Sequence, residues 1–309
     1  MKKSKRTIAA DLVAVLVAVT NGQPKIMTIE NGAALPSGPF EFEHRSLQSG
    51  LRAWVEQQTG HQLGYVEQLY TFADRGRTGD EEAPHTISIS YLGLTREDYE
   101  QEASQAHWRS WYDYFPWEDH RADAPAISKV FAPRFRSWAR STENPVLRRE
   151  RWQRAAISFG LDGRDWNEEL ILQRYELLYE AALIPESLPL QTTPPGTMIP
   201  GRSMTTDHRR ILATGIGRLR AKIKYRPVVF ELMPTEFTLL QLQHSVEALA
   251  GRLVHKQNFR RLIEQQELVE ETGSIASDAV GRPAKLFRFR HAVLAERAIA
   301  GTKLPLSRT

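Results

Sequence analysis

Thr238-Leu239-Leu240-Gln241 opens the most legible stretch of the chain. The stretch runs through Gly251 and Lys256-Gln257-Asn258-Phe259-Arg260-Arg261 to Phe287-Arg288-Phe289-Arg290. Threonine followed three residues later by glutamine is a capping box, in which each side chain satisfies a backbone N–H that the first helical turn leaves free. Leu239, Leu242, Val246 and Leu249 then fall on one helical face, and Gly251 suits the stop. A second helix over 256–266 turns Phe259, Leu262 and Ile263 inward and presents Gln257, Asn258, Arg260, Arg261, Glu264 and Gln265. Residues 228–232 read as a short strand. Residues 268–271 and 285–290 read as two more, around a loop holding Gly273 and Gly281-Arg282-Pro283. Alternation puts Phe287 and Phe289 inside and Arg288 and Arg290 outside. Helix, short turn, helix and basic hairpin make a winged helix-turn-helix.

In that architecture the second helix enters the DNA major groove. Gln257 and Asn258 suit adenine, Arg260 and Arg261 suit guanine or phosphate, and Arg282 and Lys285 of the hairpin suit the backbone or minor groove. With Lys256 at the helix start, these seven are the candidate DNA-binding residues. The alternative is the solvated face of a protein-docking module, and charge weighs against it. Residues 201–309 hold 19 Lys/Arg and 10 Asp/Glu, a balance of +9, whereas residues 1–200 hold 22 and 27, a balance of −5. All seven tryptophans lie in the acidic part. An acidic, aromatic-rich body joined to a basic domain predicts sensing or catalysis in front and a polyanion partner behind.

The 309 residues predict two domains, and 41% hydrophobic with 25% charged residues excludes a disordered or fibrous chain. The absence of cysteine excludes disulfides, thiol catalysis and thiolate zinc sites. The longest apolar run, 12–19, is far short of the ~20 residues that span a bilayer. It follows Met1-Lys2-Lys3-Ser4-Lys5-Arg6, which raises a signal peptide. Asn21-Gly22 and the renewed apolar pattern over 25–29 instead predict a β-hairpin and a cytoplasmic protein with no membrane partner. Further strands are expected over 65–72 and 86–92, separated by a polar loop over 74–82, and a helix over 47–58 on Leu47, Leu51 and Val55. From about 97 to 184 the pattern is helical, best over 167–184 with Ile171, Tyr175, Leu178 and Ala182 on one face. Residues 185–201 read as a linker, and 207–224 as a helix with Asp207 capping and His208 packed at its start. The nine histidines show no metal-ligand spacing.

Leu35-Pro36-Ser37-Gly38-Pro39-Phe40-Glu41, Ser46-Leu47 and the run from Gly50 to Gly60 resemble the Nudix box. Carboxylates at i, i+3 and i+4 of that box's helix hold Mg²⁺ against a diphosphate. Aligned on Thr59-Gly60, those acids fall at Trp54, Gln57 and Gln58, the arginine at Ala53 and an earlier glutamate at Arg45. Aligned on Gly38, Arg52 and Glu56 survive but the adjacent acid pair does not. A glutamine amide is neither charged nor a base, so Nudix hydrolysis is not expected. The run from Tyr70 to Arg77, Ile87 to Leu92, Asp207-His208, Arg218 to Pro227, Phe230 to Pro234, Asn258 to Arg261 and Gly281 to Ala284 is similar to Nudix-related transcriptional regulators of NAD metabolism. The likeness spans about residues 8–95 and 204–292. The intervening segment, with its helical insertion, resembles the NadQ-type variant.

The resemblance implies an α+β protein: an N-terminal Nudix-like α/β/α sandwich (1–224, insertion about 118–203), a winged helix at 225–292, and a tail at 293–309. It implies a homodimeric repressor of NAD synthesis or salvage genes that binds a palindromic operator. Its effector would be ADP-ribose, NAD or ATP, with no catalytic residue and no metal. Arg52, Glu56, Arg75 and Arg77 are the candidate ligand-binding residues, the arginines for a diphosphate. The rival readings are an active ADP-ribose-class hydrolase with a nucleic-acid appendage, using Glu41, Glu43 or Glu56, and a protein-interaction adaptor. The run from Trp108 to Trp117 is expected in the core rather than on a nucleobase, and the 207–224 helix is placed to relay a change between domains.

Overall fold

The computed structural model describes residues 8–64, 66–74, 85–97, 106–122, 127–188, 198–225, 229–276, 283–293 and 295. Arg75, Arg77, Arg282 and most of the tail lie outside them. Strand alternation in β1 (Ile8–Thr20) organises the front of the molecule. Leu12, Ala14 and Leu16 point to one side and pack with Leu51 and Val55 of α1 (Leu47–Thr59). Val13, Val15 and Val17 point to the other and pack with Ile211, Leu212, Ile216 and Leu219 of α5 (His208–Tyr225). All are buried, so the sheet carries helices on both faces, as the α/β/α expectation requires.

Asn21-Gly22, both at positive φ (52° and 68°), turn β1 back into β2 (Gln23–Thr28), as the hairpin reading expects. The sheet runs β4 (Val66–Phe72), β5 (His85–Leu94), β1, β2, β6 (His107–Ser110). β5 is parallel to β1, and the short β3 (Ser37–Pro39) pairs with β1 beside β2. β6 corrects the helical reading that began near 97: the aromatic run starts as an edge strand against β2. Trp111, Tyr114, Phe115 and Trp117 then turn into the core, as expected.

The segment that follows is helical: α2 (Ile127–Arg140), α3 (Pro145–Ser158) and α4 (Ile171–Glu180). α4 is shorter than the periodicity suggests. Residues Glu168–Leu170 form a 3-10 turn, and Ala182, with φ 54°, lies past the helix end and is exposed. After α5 come α6 (Leu239–Ala250), α7 (Lys256–Gln265), β7 (Val269–Ala276) and β8 (Ala284–Phe289). The strand expected at 228–232 is instead a 3-10 turn over Phe230–Leu232, with Leu232 buried. No described helix is long and apolar enough to cross a membrane.

His208 begins α5 and its Nδ1 accepts a hydrogen bond from the Leu35 backbone N–H at 3.0 Å. Burial disfavours the imidazolium and draws its pKa from 6.5 down to about 4. The unfolded chain therefore binds this proton at a higher pH than the folded one. The stabilisation is complete above about 6.5 and is lost as the pH falls toward 4. Acidification is expected to cost the native protein about 1–3 kcal/mol more than it costs His208→Gln, read from denaturant midpoints at each pH. Parallel pH curves would show that His208 does not set this dependence.

Candidate nucleic-acid interface

Thr238 Oγ1 accepts from Gln241 N (3.2 Å) and Gln241 Oε1 from Thr238 N (2.7 Å), so the capping box forms. Gly251 ends α6 in the left-handed region at φ 73°. The turn beyond it is held from below, where the buried Glu247 accepts from Gln243 Nε2 (2.9 Å) and Val254 N (3.0 Å). α7 rests on buried Phe259 and Ile263. Its opposite face exposes Lys256, Gln257, Asn258, Arg260 and Arg261. None of these five makes a hydrogen bond or ion pair among the described residues.

The hairpin departs from a plain basic wing. β7 and β8 pair from Val269↔Phe289 to Ala276↔Ala284, with a register shift between Glu271 and Ile275 that takes Gly273 into the strand rather than the loop. Phe237 bridges Phe287, and the Phe230 and Phe237 rings pack on Phe289 (centroids 4.5 and 4.9 Å). Phe289 is buried and Phe287 half-buried, while Arg288 is exposed. The hairpin cations carry their own counter-ions: Lys285 pairs with Glu271 (2.9 Å) and Arg288 with Glu270 (2.8 Å). Lys285 is thus less available to phosphate than the sequence suggests.

In front, the helix that resembles the Nudix box carries one carboxylate, Glu56, exposed and bonded by Gln62 Nε2 at 3.2 Å. Gln58 instead clamps β3, accepting from Ser37 N (3.0 Å) and donating to Ser37 O (2.7 Å). Trp54 Nε1 donates to Pro39 O (2.8 Å), and its ring covers Gly38 so closely that any Cβ there would overlap it. Arg52 donates to the carbonyls of Leu63 and, at 2.7 Å, Gly64. Arg52 and Glu56 share a helical face, four residues apart. No group of three or more His, Cys, Asp or Glu is placed to hold a metal ion among the described residues.

α5 joins the two regions. Arg210, near its start, pairs with Glu176 of α4 and with Asp74 (2.5 Å), the residue before Arg75 in sequence. Near its end lies a buried ion cluster: Glu118 takes both Nε (2.6 Å) and Nη2 (2.8 Å) of Arg174, and Nη1 of Arg220 (2.5 Å). Burial pushes the Glu118 carboxyl upward, but the two guanidinium groups outweigh it and hold it below the usual range. Arg220 Nε also donates to Leu249 O (3.0 Å), a last-turn carbonyl of α6. Tyr112 Oη donates to Ala248 O (2.8 Å) and His120 N to Gly251 O (2.7 Å). A cleft of about 200 Å³ between α5 and the α6–α7 pair, reaching Asn258, is too small for a nucleotide.

Residues 229–289 match the family of NrtR DNA-binding winged helix domains. The ADPR responsive transcriptional repressor NtrR of Acinetobacter baylyi is 39% identical over 83 residues. That match covers 27% of this chain and spans about a third (33%) of the relative. Shewanella oneidensis NrtR, crystallised with a 27mer DNA, superposes with a TM-score of 0.55 at 19% identity, covering 93% of this chain and 95% of that one. A MutT/nudix family protein from Enterococcus faecalis superposes with a TM-score of 0.52 at 15% identity, covering 94% and 89%. At these identities the solved structures speak to the fold alone. An NrtR-like winged helix behind a sandwich is thus the architecture, as expected.

Within the NrtR-like module, α7 brings together the five cations and amides expected of it, Lys285 stands apart on the hairpin, and Arg282 is outside the described residues. The residues that dock the module were missed. Glu118, Arg174 and Arg220 lie 46 to 102 positions apart, on elements whose pairing no periodicity reveals. The one available signal was an arginine on the apolar face of the 207–224 helix.

Proposed function

We propose that the protein is a transcriptional repressor that reads double-stranded operator DNA through α7 and is controlled by an NAD-related nucleotide held, uncleaved, by residues 1–224. The observation that carries the reading is the row of exposed side chains of Lys256, Gln257, Asn258, Arg260 and Arg261, unpartnered among the described residues, on a helix of an NrtR-like winged helix. The proposed division is 1–224 for sensing, 225–292 for DNA and 293–309 as a tail. A homodimer would place two such helices on a palindromic operator of NAD synthesis or salvage genes, in the cytoplasm and on the nucleoid when bound. ADP-ribose is the first effector to test, since the Acinetobacter relative is named for responding to it; NAD and ATP follow.

Binding without hydrolysis accords with a helix whose Trp54 and Gln58 hold β3 and whose single acid is Glu56. Arg75 and Arg77 follow Asp74 closely in sequence, and Arg210 ties Asp74 to α5, so a diphosphate taken by these arginines would act next to the helix that grips α6. A ligand shifts the equilibrium only by its difference in affinity between the two arrangements.

The test is fluorescence anisotropy of the full chain on its own upstream duplex, with and without ADP-ribose, NAD and ATP. We expect tight, salt-sensitive, sequence-selective binding that one nucleotide changes, with that nucleotide recovered intact. Arg260→Ala is expected to weaken binding by about 1–3 kcal/mol and to relax selectivity at one position. Equal affinity for random DNA at every salt, or Mg²⁺-dependent release of AMP abolished by Glu56→Gln, would overturn the reading.

A further inference from the structure

The acidic front part contains one strongly basic island. Residues 127–158, the α2–α3 hairpin, hold eight Lys/Arg against two Asp/Glu, a balance of +6. The rest of residues 1–200 then holds 14 against 25, a balance of −11. Charge so segregated on one helical hairpin is not the mixed surface that solubility alone requires.

Half of these cations are used internally. Arg154 pairs with Glu180 (2.6 Å), Arg151 donates to Trp138 O (3.2 Å), Arg148 to Thr142 O (3.1 Å) and Arg134 to Val130 O (2.7 Å). Arg136, Arg140 and Arg149 are exposed and make no hydrogen bond or ion pair among the described residues. Arg136 is nevertheless held in place, its guanidinium 4.9 Å from the centre of the Trp152 ring. With Pro133, Ser137 and Ser141, Arg136 and Arg140 border an open basin of about 640 Å³ on one side of α2. Residues four apart on a helix are neighbours, so Arg136 and Arg140 stand together and Ser137 adds a hydroxyl beside them. This is donor chemistry for phosphate oxygens. Among the described residues no large apolar side chain of α2 is exposed beside Arg136 and Arg140, so that face lacks the hydrophobic centre of a protein interface; on α3, Val146, Leu147 and Ile157 are exposed along with Arg149.

The hairpin is also seated next to the DNA-reading module. His120, whose N–H donates to Gly251 O at the α6–α7 turn, packs its ring at a tilt against Trp166 (centroids 4.3 Å). Trp166 meets Phe159, at the end of α3, edge-on (6.5 Å), and Phe159 packs on Phe131 and Phe135 of α2 (both 4.9 Å). An unbroken line of rings therefore runs from the turn that leads into α7 to the buried side of the basic hairpin.

We propose that the α2–α3 hairpin is a second DNA-contacting surface, in which Arg136, Arg140 and Arg149 take backbone phosphates of the duplex whose bases α7 reads. It rests on the DNA-binding reading above. It supplies backbone charge that the wing, with Lys285 and Arg288 self-paired, supplies only in part.

The experiment uses the full chain, its own upstream duplex extended on both sides, and a random duplex of equal length, titrated by anisotropy across salt. Four proteins are compared: the native chain, Arg136→Gln/Arg140→Gln/Arg149→Gln, the same three positions changed to Lys, and Arg260→Gln/Arg261→Gln. Each lost phosphate contact lowers the slope of log K against log salt by about 0.9, so the Gln triple is expected to lose up to about three units. Between about 50 and 200 mM salt that is about a threefold smaller weakening per contact. The Lys triple should keep the native slope, and the Gln triple should keep the native preference for upstream over random DNA, because phosphate contacts carry no sequence information. A native slope in the Gln triple, alongside lost binding in the α7 variant, overturns this inference and leaves the function standing. Lost sequence preference in the Gln triple overturns it too. Failure of the native chain to bind either duplex removes the function and the inference with it.

Discussion

Glu118→Ala is expected to destabilise the protein by about 3–5 kcal/mol, because it leaves two buried guanidinium groups without their shared carboxylate. Glu118, Arg174 and Arg220 are each at most 1% exposed, so water cannot replace what is removed. The remaining acceptors are carbonyls: Ser158 and Asn167 for Arg174, and Glu168, Leu249 and Glu118 itself for Arg220. They satisfy donors but do not neutralise charge. Denaturant unfolding, with midpoint and slope both measured, gives the cost. Replacing all three residues together by apolar side chains of similar volume should cost much less than Glu118→Ala, since no orphaned charge remains. A loss below about 1 kcal/mol for Glu118→Ala would mean that water enters the cluster or that it reorganises.

The sequence made some of this architecture legible, and the division follows the range of the interactions. Capping box, Gly251 stop and the Phe259/Ile263 face are written within a few residues of one another, and all three form. So is the Asn21-Gly22 hairpin. β6 was hidden because its pairing with β2 reaches from residues 25–28 to 107–110, and Trp108 and Arg109 look the same in a helix or a strand. The 3-10 turn at Phe230–Leu232 was mistaken for a strand because four apolar residues in five satisfy either pattern. At the front site the composition was legible and the roles were not. Gln58 and Trp54 read as missing acids, whereas their side chains hold β3 by bonds whose partners are 21 and 15 residues distant. Charge was misread most at the wing, where a run of cations looks free until Glu270 and Glu271 are seen across the strand pair.

Gly251→Ala should be the most informative single substitution, because one methyl group tests backbone strain and domain docking together. At φ 73° an L-residue pays about 1–2 kcal/mol for the left-handed region. Gly163, at φ 75° with nothing within 4 Å of an added Cβ, isolates that cost. At Gly251 the same Cβ would overlap the Glu118 carbonyl oxygen and sit 2.8 Å from Arg220 Nη2 and 3.0 Å from Tyr112 Oη. Two of these neighbours also bond the end of α6, so the methyl must push α6 away from the insertion or break those bonds. Gly251→Ala is therefore expected to cost about 2–4 kcal/mol more than Gly163→Ala in the same unfolding assay. The exposed side chains of α7 are untouched by the change. If α5 carries the state of the front domain to α6 through Arg220, the variant should still bind DNA but respond less to the nucleotide than the native chain does. An unchanged response in a protein destabilised to that extent would rule out the α6 docking contacts as the route.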